Sequence, residues 1–150
     1  MLRVVADTNI YVSAFAFGGQ IGKILEFAQE GRFELYISRF IISEIKRTFT
    51  KKFHWPPNKL AALISNILRF TYLVEPTERI HVISRDPSDN HILECAVASY
   101  AHIIVTGDRH LQDLNRFENI QIISPRKFLD YLELHMQSLR RDASAVGVEQ

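Results

Sequence analysis

The sequence predicts an α/β protein whose parallel sheet is covered by helices on both faces. Short apolar runs alternate with segments of helical periodicity, and most of these runs are apolar at consecutive positions. The first observation indicates repeated strand–helix units, and the second is typical of strands buried on both faces. No repeat or linker divides the 150 residues, so we expect one domain over residues 1–136 and a polar, loosely ordered tail over 137–150.

Each predicted strand is a short apolar run that stops at polar or turn-forming residues. In chain order the strand candidates are Leu2–Ala6, Phe33–Ile37, Tyr72–Val74, Ile80–Ile83, Ile103–Thr106 and Ile120–Ile123. Asp7 ends the first strand, the loop Asp86–Ser88 follows the fourth, and Gly107 and Asp108 end the fifth. Strands in this order, separated by helices, favour parallel pairing.

The predicted helices carry apolar residues three or four positions apart, which gives each helix one face toward a core. In chain order they are Thr8–Phe17 (a helix or a turn), Ile21–Glu30, Arg39–Lys52, a helix from Asn58 with apolar positions to Leu68, Asp89–Tyr100 and a last helix from Pro125. Residues that favour helix ends stand at the ends of these segments. At the starts, Ser38 and Asn58 cap two helices, and Ser124 and Pro125 begin the last one. At the other ends, two helices stop at glycines (Gly18 and Gly19 for the first, Gly31 for the second), and the third stops at His54–Pro57.

Composition excludes several classes of protein. Cys95 is the single cysteine, so neither an intrachain disulfide nor a cysteine-rich zinc site can form. No apolar run is long enough to span a membrane, and the first residues do not have the form of a secretion signal. We therefore expect a cytoplasmic location. The net charge is only +1, so binding of nucleic acid would need a local basic patch.

Three acids are expected at one edge of the sheet. Asp7 directly follows the first strand, Asp108 follows Ile103–Thr106 after one glycine, and Asp89 opens a helix soon after Ile80–Ile83. In open parallel sheets, ligands bind outside the carboxyl ends of the strands. Asp7, Asp89 and Asp108 are therefore candidate ligands of a shared site.

Glu44 lies inside a predicted helix, at the margin of its apolar face. At 100° per residue its side chain falls between those of Phe40 and Ile41. A carboxylate that faces a core is costly unless it is paired or bound to a metal. Glu44 is therefore either salt-bridged or part of a polar centre.

Converging carboxylates repel one another unless a cation neutralises them. Hard oxygen ligands suit Mg²⁺ or Mn²⁺, which keep several waters and accept phosphate oxygens. The chemistry that follows naturally is phosphodiester hydrolysis by a metal-activated water.

Several short motifs together resemble PIN-domain proteins, and among them the VapC-like toxin components of toxin–antitoxin systems. The resemblance runs from Leu2 to about Leu134 and rests on the order and spacing of the motifs. They are Asp7-Thr8-Asn9, Ser43-Glu44-Ile45, Asp86-Pro87-Ser88-Asp89-Asn90, Val105-Thr106-Gly107-Asp108 followed by Leu111, and Ser124-Pro125-Arg126-Lys127-Phe128-Leu129. The resemblance implies a three-layer α/β/α fold with a central parallel sheet of about five strands.

The resemblance also implies a function and a set of site residues. It implies an endoribonuclease that depends on Mg²⁺ or Mn²⁺, often a homodimer, with RNA as substrate and, for toxins, an antitoxin protein as partner. The catalytic and metal-binding acids fall on Asp7, Glu44, Asp89 and Asp108. Thr8, Asn9, Asn90 and Thr106 would orient ligands or waters. Members of this group often carry a further acid where this chain has Ser88, and Asp86 could substitute by bending back, which leaves the number of metal ions open.

Basic residues near these acids are candidates for contact with RNA. They are Lys46, Arg47 and Lys51 in the third predicted helix, and Arg109 and His110 beside Asp108. Such residues can follow a phosphate backbone. A solvated helix face and ordinary exposed residues are the alternative interpretation.

Two other functions remain open at this stage. A haloacid-dehalogenase-type phosphatase also places an acid after the first strand, but it needs a second acid two residues later, where this chain has Asn9. A non-catalytic module that binds RNA or a protein is the other alternative. Phosphate-binding loops and the serine-hydrolase motif are absent from the sequence.

Overall fold

A six-stranded sheet organises the computed structural model, which describes residues 1–83 and 85–149. The strands are β1 Arg3–Ala6, β2 Glu34–Ser38, β3 Thr71–Val74, β4 Ile103–Val105, β5 Arg116–Phe117 and β6 Ile120–Ile123. The helices are α1 Thr8–Phe17, α2 Gly19–Gln29, α3 Arg39–Phe53, α4 Pro57–Phe70, α5 Asn90–Ala98, α6 Arg109–Leu114 and α7 Pro125–Glu149, and a 3₁₀ turn spans Pro87–Asp89.

The strand order across the sheet is β3-β2-β1-β4-β6-β5. All neighbouring pairs are parallel except β5 and β6, which are antiparallel. The predicted parallel sheet between helices is thus confirmed, with the two-residue strand β5 added at one edge. β1 lies near the middle, where Val4 pairs with Leu35 of β2 and with Ile103 of β4. The polar residues that follow β1 and β4 therefore emerge side by side.

Large aromatic side chains fill the core between the sheet and its helices. Tyr11 of α1, Phe49 of α3, Phe128 of α7 and Phe33 are fully buried or nearly so. The rings of Phe33 and Phe128 meet edge to face, with 5.1 Å between their centroids. Burial of side chains of this size supplies much of the free energy that fixes the helices on the sheet.

The predicted strand at Ile80–Ile83 is wrong, because this segment forms no strand in the structure. Side chains of α5 satisfy its backbone instead of a neighbouring strand. The N–H of Ile80 donates to Glu94 Oε2 at 3.0 Å. The N–H groups of Val82 and Ile83 both donate to Asn90 Oδ1, at 3.0 and 2.9 Å. The apolar alternation reflects the burial of Ile80 and not a ladder of strand hydrogen bonds.

Residues from about 137 onward differ from the loosely ordered tail that the sequence predicts, because α7 continues to Glu149. Phe128 and Leu132 dock the first turns of α7 in the core. A docked first turn removes the cost of nucleating a helix, so a polar continuation can extend it. Even with α7 included, no helix in the described parts of the chain is both long and apolar enough to cross a membrane.

Candidate metal centre

Asp7 and Asp108 lie at the carboxyl ends of the adjacent strands β1 and β4. Asp7 precedes α1, and its backbone N–H donates to Val105 O at 2.9 Å, which joins the two strand ends. Asp108 caps α6, where its Oδ1 accepts from the N–H groups of His110 and Leu111. The sheet topology therefore brings together two acids that are about a hundred positions apart in sequence.

Asp89 reaches the same edge from the 3₁₀ turn and not from a strand end. Asn90 holds the preceding loop through four hydrogen bonds. Its Oδ1 accepts from two backbone N–H groups, and its Nδ2 donates to Ile83 O at 2.8 Å and to Pro87 O at 3.1 Å. Asp86, at the start of this turn, accepts from both the N–H and the hydroxyl of Ser88. The loop thus presents Asp86 and Asp89 together.

Carboxylate oxygens of Asp86, Asp89 and Asp108 lie within 4.8 Å of one another. Asp7 and Glu44 line the same cavity, which has a volume of about 140 Å³. The structure therefore brings together all four acids that the resemblance implies. It also brings Asp86 into the cluster with Asp89 and Asp108.

Burial and mutual repulsion raise the pKa of two of these acids. Asp89 is 6% exposed, and its burial, followed by the charges of Asp108, Asp7 and Asp86, raises its pKa to about 7. Burial also raises the pKa of Asp7, against the lowering effect of hydrogen bonds from the Thr106 hydroxyl and the backbone of Thr8. Both shifts show that this cavity disfavours negative charge unless a cation enters it.

The donor set fits a divalent cation. Asp89 Oδ2 is buried and has no hydrogen-bond partner among the residues that the structure describes. In the same residues, no lysine or arginine forms an ion pair with Asp7, Asp86 or Asp89. A buried, unpaired carboxylate oxygen beside two further carboxylates calls for a positive charge. An all-oxygen set of this kind suits Mg²⁺ or Mn²⁺.

The sequence leaves two alternatives for Glu44, a salt bridge or a place in a polar centre, and the structure shows features of both. Its Oε1 lies 3.5 Å from Nη1 of Arg47, one turn later in α3, and it lines the acidic cavity. Arg47 is 61% exposed, so this pair is weak and readily exchanged. Glu44 therefore remains available to a ligand in the cavity.

Thr106 connects the acids of the two strands. Its hydroxyl donates to Asp7 Oδ2 at 2.8 Å and accepts from the backbone N–H of Asp108 at 2.9 Å. Thr106 is fully buried, and Gln112 Nε2 donates to its carbonyl at 2.6 Å. This arrangement fixes the orientation of the Asp7 carboxylate.

The other predicted orienting residues divide into two groups. Thr8 and Asn9 line the cavity directly. Asn90 does not line it, and acts by holding the loop that carries Asp86 and Asp89. The prediction that Asn90 orients ligands or waters stays a prediction, and its hydrogen bonds to this loop are one way in which it could orient Asp86 and Asp89.

The predicted RNA contacts are spread around the site. Arg47 pairs with Glu44, and His110 Nδ1 lies 3.9 Å from Asp108 Oδ1. Lys46, Lys51 and Arg109 are exposed and do not line the acidic cavity. Of these five basic residues, Arg47 and His110 thus lie within 4 Å of a predicted acid.

Sequence reasoning missed two residues that support the site. Glu94 is buried and anchors Ile80, and it is the one charged residue in the apolar stretch Ile92–Val97. That isolated charge was a signal that could have identified it. Gln112 supports Thr106 from α6, but no pattern in the sequence distinguishes it from an exposed glutamine.

The raised pKa of Asp89 predicts how pH affects stability. In the absence of metal the folded protein keeps this proton up to about pH 7, whereas the unfolded chain releases it near pH 4. Between these values the unfolded state binds fewer protons, so the free energy of unfolding decreases as pH rises. Mg²⁺ needs ionised ligands, so the rise in melting temperature that it causes should grow over the same window.

Melting curves from about pH 5 to pH 8, with and without Mg²⁺, measure both effects. Stabilisation by Mg²⁺ that is largest at the acidic end would contradict a site built from Asp89.

Comparisons with known proteins give a family match and similar folds. A family model described as "PIN domain" matches residues 3–110, well over half of the chain. The fold is similar to a structure of VapBC2 from Rickettsia felis bound to a promoter DNA fragment, with TM-score 0.60, 16% identity, and coverage of 82% of this chain and 98% of that one.

It is also similar to the PIN domain of T. brucei RRP44, with TM-score 0.56, 13% identity, and coverage of 95% of this chain and 87% of that one. Comparison with curated protein sequences gives no match. The family-model match and the acidic edge of the sheet lead to one conclusion: this chain belongs to the PIN domain family.

Proposed function

We propose that this protein is an endoribonuclease that hydrolyses RNA phosphodiester bonds with the help of Mg²⁺ or Mn²⁺. The observation that carries the proposal is the cluster of Asp86, Asp89 and Asp108, with its buried, unpartnered Asp89 oxygen. PIN domains are generally nucleases, and this cluster lies in the part of the chain that the PIN family model matches.

The acids have distinct roles in this proposal. Asp86, Asp89 and Asp108 would hold the ion, and Glu44 lines the same cavity. When bound, Mg²⁺ or Mn²⁺ supplies a Lewis acid that lowers the pKa of a water and neutralises phosphate oxygens. Asp7, which accepts a hydrogen bond from Thr106, would take a proton from the attacking water, since a carboxylate with a raised pKa is a better base. The water oxygen would bond to phosphorus, the P–O bond to the leaving oxygen would break, and solvent would supply that oxygen with a proton.

Cleavage of a labelled single-stranded RNA tests the proposal directly. We expect cleavage with Mg²⁺ or Mn²⁺, loss of cleavage with EDTA, and recovery when excess metal is added back. A DNA of the same sequence shows whether the ribose is required. An Asp7→Asn sample purified in parallel controls for contaminating ribonuclease. No cleavage with either metal over a range of RNA sequences would overturn the proposal in favour of a non-catalytic binding module.

Replacing Asp86 by Asn should weaken metal binding by about 10-fold or more, because one carboxylate of the cluster loses its charge. The same substitution at Asp142, an exposed residue late in α7, is the matched control and should change nothing. Isothermal titration with Mn²⁺ measures both. Equal Mn²⁺ affinities of the two variants would show that Asp86 is not a metal ligand, and would leave the proposed roles of the other acids unchanged.

We also propose that the protein acts as a toxin, held inactive by a cognate antitoxin, and that it forms a homodimer. The similarity to VapBC2 and the resemblance to VapC-like toxins support this part of the proposal. Expression of the wild-type chain in bacteria should halt growth, and expression of Asp7→Asn should not. Light scattering on the purified protein gives the oligomeric state, and a monomer at micromolar concentration would contradict the homodimer.

A further inference from the structure

A second cavity adjoins the acidic one at the same edge of the sheet. It has a volume of about 260 Å³, and its walls include Ser38 and Val74, the last residues of β2 and β3. Phe40 lines both cavities. A group bound in the second cavity would therefore lie next to a phosphate held at the acids.

Phe40 and His91 form the aromatic wall of this cavity, and Glu94 fixes its position. The rings of Phe40 and His91 stack with 3.9 Å between their centroids and 25° between their planes. His91 Nδ1 lies 3.0 Å from Glu94 Oε1, and Glu94 Oε2 accepts from the N–H of Ile80 at 3.0 Å. Because Glu94 is 7% exposed and has a partner on each oxygen, the stacked pair is preorganised and loses little freedom when a flat ligand binds.

The charges around the cavity indicate a neutral ligand. Its walls carry three glutamates, Glu75, Glu78 and Glu94, against two arginines, Arg39 and Arg79. A phosphate would meet an excess of negative charge here, whereas a heterocycle with N–H groups could donate to the exposed carboxylates of Glu75 and Glu78. The volume lies just below the range of drug-sized ligand pockets, which suits one base.

We propose that this cavity binds a nucleobase of single-stranded RNA directly beside the phosphate that is cut. The base stacks on the pair Phe40–His91, and bases with an exocyclic amine (adenine, cytosine, guanine) are favoured over uracil, because they offer the glutamates two or more N–H donors whereas uracil offers the single N3–H. Stacking of unpaired bases on aromatic side chains is a general mode of RNA recognition. The inference rests on the proposed ribonuclease function and names a determinant of its specificity.

The test scans the RNA with single abasic sites around the mapped cut. For the wild type, removal of one base beside the cut should raise KM by about 10-fold, the scale of one stacked base, with little change in kcat. In Phe40→Leu, which keeps an apolar side chain but no ring, the same abasic site should have no effect. Phe40→Tyr should restore the wild-type response. Phe17→Leu is the matched control, because Phe17 lies at the far end of α1 and is 78% exposed.

Anisotropy measurements with oligo(A), oligo(C) and oligo(U) separate this inference from the proposed function. If RNA is cut but Phe40→Leu keeps the full abasic response, the base cavity is wrong and the ribonuclease stands. Suppose that RNA is not cut, that oligo(A) and oligo(C) bind more tightly than oligo(U), and that Phe40→Leu abolishes this difference. The cavity then binds a base, and the ribonuclease proposal is wrong. If the wild type neither cuts nor binds RNA, both are wrong.

Discussion

Replacing Asp7 by Asn should reduce RNA cleavage by more than about 100-fold, because the loss of groups that merely support a metal site already costs 10- to 100-fold. The fold should not suffer. Asn keeps an oxygen that can accept the hydrogen bond from the Thr106 hydroxyl. The substitution also removes a carboxylate whose pKa is raised by its burial and by the charges of Asp108 and Asp86. The melting temperature should stay constant or rise by up to about 4 °C, the scale of one kcal/mol for a chain of this length.

Cleavage rates and melting curves of the same samples, without metal, check this prediction. Asp142→Asn should leave both quantities unchanged. A clear fall in the melting temperature of Asp7→Asn would show that the charge of Asp7 stabilises the fold, and would contradict a repulsive acidic site.

Replacing Asn90 by Ala should destabilise the protein by about 2–4 kcal/mol, because two backbone N–H groups and two carbonyls lose their partners at once. The affected groups belong to Val82, Ile83 and Pro87. Because these hydrogen bonds hold the loop that carries Asp86 and Asp89, RNA cleavage and Mn²⁺ affinity should fall as well, although Asn90 does not line the cavity.

Asn66→Ala provides the control, because Asn66 is exposed on α4 and alanine suits a helix. Urea unfolding gives the free energies, and hydrogen exchange at Val82 and Ile83 reports on the loop. Unchanged exchange at these amides in Asn90→Ala would contradict the role that we assign to its side chain.

The acids at strand ends were predictable from the sequence because their positions follow from topology alone. Once alternating strands and helices indicate a parallel sheet, the residues after β1 and β4 must share an edge, and Asp7 and Asp108 do. Glu44 could be placed at a helix margin from periodicity, and the structure puts it in the cavity wall.

The placement of Asp86 and Asp89 was less accessible, since it depends on a loop whose backbone partners are side chains. The apolar residues of Ile80–Ile83 have the periodicity of a strand, and periodicity reports burial but not the partner of each N–H. Only the positions of Glu94 and Asn90 in three dimensions show that α5 supplies those partners. Likewise, the stacking of Phe40 on His91 joins α3 to α5, a contact that no local pattern encodes.

The way in which α5 secures the loop before it also bears on how proteins of this architecture can diverge. A segment inside a sheet cannot gain or lose a residue without shifting the register of its neighbours. The residues from Val74 to Ile83 have no such register beyond the end of β3, because Glu94 and Asn90 hold Ile80, Val82 and Ile83 in place of a neighbouring strand. Insertions between those points should therefore cost little entropy. We expect that the wall beside the acids can change in length and composition while the acids themselves stay in position.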